Sequence, residues 1–136
     1  MPPFLAVGLG AALGGMLRYA VNLLFVARFG PGFPFGTLFI NLSGSFLIGL
    51  VAELAQTRAL GFSPLLRVAL TAGLLGGYTT FSSYAYETLT LAGDREWRLA
   101  LAYSLGSVVL GVFACYAGIV AARLMLAASH SSAGAG

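Results

Sequence analysis

Gly76-Gly77-Tyr78-Thr79-Thr80-Phe81-Ser82-Ser83-Tyr84 lies inside a stretch, Val68 to Ala85, that carries no charge. By length that stretch is a transmembrane helix candidate, since about 20 apolar residues cross a bilayer. Its middle works against a continuous helix. Two adjacent glycines weaken helical backbone, and the hydroxyls of Thr79, Thr80, Ser82 and Ser83 can bond freed backbone groups. Irregular backbone is tolerated at membrane depth only where protein or water satisfies it. The pattern predicts a membrane helix broken at its middle, with the function gathered around the break.

Working outward, the whole chain fits the same environment. Of its 136 residues 59% are hydrophobic and 8% are charged, where a soluble domain carries about 25% charged residues. The composition predicts an all-α integral membrane protein. The net charge of +3 comes from seven basic residues, all arginines and scattered singly, so no basic run tracks a phosphate backbone. Cys115 and His130 are the only residues of their types, which leaves no intrachain disulfide and no histidine metal cluster. No nucleophile–base pair stands out either, so no enzyme is expected. The start lacks the basic region of a secretory signal.

Four apolar segments emerge, roughly Pro3–Ala27, Phe35–Ala55, Leu65–Leu91 and Leu99–Leu126. Short connectors separate them, the first rich in glycine and proline (Arg28 to Pro34). The expected organisation is one four-helix transmembrane domain, residues 1–127, and a low-complexity disordered tail, residues 128–136. Arginines do not choose an orientation. Arg58, Arg67 and Arg123 fall on one side, and Arg28, Arg95 and Arg98 on the other. An even count is what a dual-topology protein needs. Four helices enclose little space, and small residues at helix-packing spacing (Gly10 with Gly14, Gly44 with Gly49) favour close approach. A homodimer is expected, antiparallel if both orientations insert.

Polar side chains inside apolar spans are costly and mark functional candidates. Arg18 lies about two-thirds along the first span, and Asn41 about two turns into the second. Asn41 reads either as interhelical glue or as an amide donor to an anion. Glu53 and Glu87 approach span ends. Phe81 and Tyr84 share a helix face, and their positive ring edges suit an anion without trapping it. Tyr103, Ser107, Gly111 and Cys115 form a stripe on the fourth span, in which the first two offer hydroxyl donors.

Three motifs then coincide. Gly14-Gly15-Met16-Leu17-Arg18-Tyr19, Gly36-Thr37-Leu38-Phe39-Ile40-Asn41 and the run from Gly76 to Tyr84 resemble, in order and spacing, the first-, second- and third-helix motifs of the Fluc/CrcB family of small dual-topology fluoride channels. The resemblance spans about Phe4 to Leu126. It implies an antiparallel homodimer in the cell's inner (plasma) membrane, with two pores passing fluoride passively down its electrochemical gradient. Asn41 and Ser107 would hydrogen-bond the ion, and Phe81 would offer its ring edge, with Tyr84 and Tyr103 beside the path. Backbone carbonyls of Gly76 and Thr79 would hold a structural sodium ion. Arg18, Thr37 and Glu87 would lie near the aqueous vestibules. Tyr84 stands where the family's second pore phenylalanine is usual, and Gly111 and Cys115 stand in a track typically richer in serine and threonine. The alternative is a small multidrug-type proton-coupled exporter. Such a protein needs a carboxylate in the first span, and this span has none.

Overall fold

The computed structural model describes residues 2–57 and 61–133, the side chains of 130–133 excepted. Arg58 of the arginine count, and Gly134 to Gly136 of the expected tail, lie outside the described residues. The described chain is helical throughout, in the order α1 (Pro3–Phe29), α2 (Phe35–Gln56), α3 (Pro64–Val68), a π-helical segment (Ala69–Leu75), α4 (Gly76–Tyr78), α5 (Phe81–Gly93) and α6 (Trp97–Ala133). Three helices are long and apolar enough to cross a membrane: α1, α2 and α6 as far as Ser129.

Local chemistry sets the boundaries. Pro3 opens α1, where a missing N–H costs nothing. Gly30, at φ 76°, closes it by donating its N–H to Val26 O. Rings of Phe25, Phe29, Phe33, Phe35 and Phe39 pack in sequence around the connector that follows. Ser63 caps α3, its hydroxyl accepting from Leu66 N at 3.2 Å. At the far end α6 runs through Ala133, past the expected boundary at residue 127. Leu124, Met125, Leu126, Ala127 and Ala128 are strong helix formers at this end of α6.

The helical path from Pro64 to Gly93 is interrupted at two residues. Thr79 (φ −77°, ψ 156°) and Thr80 (φ −149°, ψ 117°) are extended. The chain recovers at once because Thr80 is itself a cap. Its Oγ1 accepts from Ser83 N at 3.2 Å at the start of α5.

Packing pairs α2 chiefly with α6, and α1 chiefly with the π-helical segment and α4. Small residues govern both contacts. A Cβ on Gly10 would lie 2.8 Å from Leu74 N, and one on Gly77 would lie 2.8 Å from the Ala11 Cα. Gly14 and Gly73 are similarly closed. Gly49 abuts the Cys115 carbonyl, and Gly118 abuts that of Phe46. The Gly10/Gly14 spacing is thus used within the chain, against Gly73 and Gly77, and so is Gly49.

Little apolar surface is buried. Ile40 and Tyr103 are the largest fully buried side chains among the described residues. Leu9, Leu13, Met16 and Leu24 of α1 and Leu101, Leu105, Val108 and Val112 of α6 face outward. Exposed to water, such faces would cost about 25 cal/mol per Å²; against lipid they cost nothing. With three spanning-length apolar helices, the chain is a multi-pass membrane protein.

Candidate functional site

The break at Thr79–Thr80 is held open from α2. In an unbroken helix Thr80 N would donate to Gly76 O. Here it donates to Asn41 Oδ1 at 2.8 Å, and Asn41 Nδ2 donates to Thr80 O at 2.9 Å. One amide thus takes both main-chain groups of Thr80, as a neighbouring strand would. Thr79 O receives a longer bond, 3.3 Å, from Arg18 Nη1. Thr79 Oγ1 turns back to Leu75 O at 2.9 Å. Ser43 braces the other side, its hydroxyl 3.0 Å from that of Tyr78.

Beside the break lies a cavity of about 360 Å³ between α2, the interrupted segment and α6. Asn41, Gly76, Thr79, Phe81, Tyr84 and Ser107 are all on its wall. No charged side chain lines it. It is open on one side, where Phe81 is 78% exposed and Gly76 is also exposed. Ser107 Oγ is buried and has no hydrogen-bond partner, the only such side-chain atom among the described residues. An unpaired buried hydroxyl costs about 1–3 kcal/mol, so its persistence in a residue of the cavity wall marks a place for a ligand or water.

Tyr84 and Tyr103 hold their hydroxyls away from this space. Tyr84 OH lies 3.0 Å from Ser104 Oγ, and its ring centroid is 5.5 Å from that of Phe81. Tyr103 is buried, is not on the cavity wall, and donates to Glu87 Oε2 at 2.7 Å. Thr37, also buried, donates to Glu87 Oε1 at 2.7 Å. Each carboxylate oxygen of Glu87 therefore has a dedicated donor, which offsets its half-burial. Arg18, Thr37 and Glu87 line a second, more polar cavity of about 320 Å³ on the other side of Thr80, with Ser82 and Ser83.

The sequence-predicted residues thus fall into two groups. Asn41, Gly76, Thr79, Phe81, Tyr84 and Ser107 meet at the first cavity, and Arg18, Thr37 and Glu87 at the second. Tyr103 supports Glu87 from behind. Sequence reasoning missed Ser45 and Thr71, both on the first cavity's wall, and the Asn41–Thr80 pairing. Ser45 had a signal in its position one turn after Asn41 on α2.

The model of the family described as "CrcB-like protein, Camphor Resistance (CrcB)" matches residues 5–119. The chain belongs to the CrcB-like family. Every residue of both cavity groups falls within the matched range. Relatives named "Fluoride-specific ion channel FluC" include one from Rhizobium meliloti, 46% identical over 93% of this chain and 100% of the relative. One from Trichormus variabilis is 47% identical over 88% of each chain. One from Thermus thermophilus is 48% identical over 87% of this chain and 93% of the relative. The CrcB-like relatives are channels by name, and the family is not one of enzymes.

Gly76 and Thr79 fit a hard cation by donor type, since each offers a neutral carbonyl oxygen, Gly76 from the last helical turn before the break and Thr79 from the extended pair itself. Gly76 O has lost its usual partner, because Thr80 N is committed to Asn41. Thr79 O accepts from Arg18 and keeps a second lone pair. Two carbonyls leave most of a cation's shell to a second copy of the chain or to water.

Proposed function

We propose that this protein is a fluoride channel, passing the ion passively out of the cytoplasm through the inner membrane. The observation that carries the reading is the buried, unpartnered Ser107 hydroxyl on an uncharged cavity beside a helix break. The names of the relatives supply the ion. Fluoride is small and strongly hydrated, so a path must replace water's donors. Neutral donors let the ion leave again, as conduction requires. Ser107 O–H is free, and the second N–H of Asn41 remains after Thr80 is served. The ring edges of Phe81 and Tyr84 complete a wall of weak positive potential.

In this reading Pro64–Gly93 forms the fourth span, broken at Thr79–Thr80. The cavity's open side is closed by a second, antiparallel copy, giving two pores per dimer. Support comes from the exposed Phe81 ring and Gly76 backbone, which leave the site incomplete in one chain. Carbonyls of Gly76 and Thr79 would hold sodium at the dimer axis, where the ion would supply a fixed positive charge. Asn41 keeps Thr80 N from closing on Gly76 O. Arg18, Thr37 and Glu87 form the vestibule, with Tyr103 and Thr37 fixing the Glu87 carboxylate at its edge.

Fluoride efflux from liposomes, followed with a fluoride electrode, tests the function. The protein should empty the vesicles far faster than the lipid alone. Efflux equal to that of protein-free vesicles refutes it.

A further inference from the structure

Six hydroxyl side chains line the cavity beside the break: Ser45, Thr71, Thr79, Thr80, Tyr84 and Ser107. Four are already engaged. Thr71 donates to Arg67 O at 2.9 Å, and Thr79 to Leu75 O at 2.9 Å. Thr80 bonds Ser83, and Tyr84 bonds Ser104. Ser45 and Ser107 are the two without a partner among the described residues.

The case of Ser45 is unusual for its setting. Serine in a membrane helix ordinarily bonds a carbonyl one turn back. Ser43, two residues earlier on the same helix, does so with Phe39 O at 2.7 Å. Ser45 does not, and it lies one turn beyond Asn41, on the wall of the same cavity. Across from it on α6 stands Gly111. A Cβ there would sit 3.6 Å from Ser45 Oγ, in ordinary contact. Gly111 therefore leaves the Ser45 hydroxyl uncovered where any larger residue would lie against it.

We infer that Ser45 is an anion-binding residue that acts with Ser107, so that α2 and α6 each present one free O–H to the ion. The donor that Gly111 does not carry on α6 is supplied from α2. A small, dehydrated anion needs donors from more than one direction. These two hydroxyls and the remaining Asn41 N–H give it three neutral ones. The inference rests on the channel reading above, which it extends by a residue and a position for the ion.

Fluoride efflux from liposomes is measured for the native chain, Ser45→Ala, Ser107→Ala and the double variant Ser45→Ala/Gly111→Ser, each eluting as one species in detergent. A hydrogen bond to a charged group is worth about a tenfold effect or more, so Ser45→Ala should slow efflux at least about tenfold. The double variant should regain much of it, because a hydroxyl on residue 111 reaches the same space. If Ser45→Ala does not fold, Ser45→Cys, nearly isosteric and a weak donor, should show the same loss. Native-like efflux from Ser45→Ala, or from Ser45→Cys in its place, while Ser107→Ala is slow, overturns the inference alone. A native chain that does not conduct overturns the channel reading and this inference with it.

Discussion

Replacing Asn41 by alanine should destabilise the protein far more than the loss of a half-buried polar side chain ordinarily does. The amide makes two bonds to one residue, 2.9 Å from Nδ2 to Thr80 O and 2.8 Å from Thr80 N to Oδ1. Thr80 is buried, at 7% exposure. Its extended backbone points neither group at a helical neighbour. Each orphaned main-chain group costs about 1–3 kcal/mol, so the pair predicts a loss of roughly 2–6 kcal/mol. Partial relief is available if Thr80 N swings back toward Gly76 O and the break anneals, but that closes the cavity. Asn41→Ala should therefore lower stability and fluoride flux together. Ser43→Ala removes a hydroxyl whose one contact with another helix is Tyr78, its other bonds going back to Phe39 O and Ile40 O on α2, and should cost only about 0.5–1.5 kcal/mol. Equilibrium unfolding in detergent, read by tryptophan fluorescence of the single Trp97 or by circular dichroism, measures both. An Asn41→Ala variant within about 0.5 kcal/mol of the native chain would refute the brace, since that is the range of ordinary surface substitutions.

Glu87→Gln keeps an acceptor for one donor but presents an amide NH2 toward the other, so a charge-assisted bond from Tyr103 or Thr37 is lost. The expected cost is about 1.5–3 kcal/mol, and an unchanged thermal midpoint in detergent would count against it. Gly49→Ala forces a Cβ against the Cys115 carbonyl and should cost about 1–3 kcal/mol by overpacking. Gly111→Ala meets only Ser45 Oγ at 3.6 Å and should fold as well as the native chain; equal losses in the two would contradict this difference in helix contact. Phe81→Ile should abolish most fluoride flux while the chain still folds, because the ring is 78% exposed in the single chain and lies outside its core. A conducting Phe81→Ile protein would remove Phe81 from the path.

Much of the architecture is legible in residue order. Apolar runs locate α1, α2 and α6 closely, because length and hydropathy are properties of the segment itself. The glycine and hydroxyl cluster points to Thr79–Thr80, because a threonine that caps its own following helix is a local device. Partnerships across helices are not legible. Asn41 reads equally as glue or as ion ligand; the structure commits both its bonding groups to Thr80 and leaves one N–H over. Tyr103 looks like a free donor on a regular stripe, yet Glu87, sixteen residues earlier, accepts its hydrogen bond. Ser45 offers only its position one turn after Asn41, because serine is usually silent in a helix, and three-dimensional neighbours are needed to show that it has nothing to bond. The glycine spacings suit contact with another chain, and the fold spends Gly10 and Gly14 on Gly73 and Gly77 instead.

The pairing of α1 with the segment from Ala69 to Tyr78, and of α2 with α6, bears on how the chain assembles as it is made. Each of the first two helices has its main partner in the second half of the sequence. During synthesis α1 must wait in the bilayer until about residue 78 has entered, and α2 until α6 follows. The glycine-lined faces stay solvated by lipid for that interval. The cavity that holds Ser107 has no α6 wall before the last helix arrives, so a truncated or stalled chain lacks the finished site.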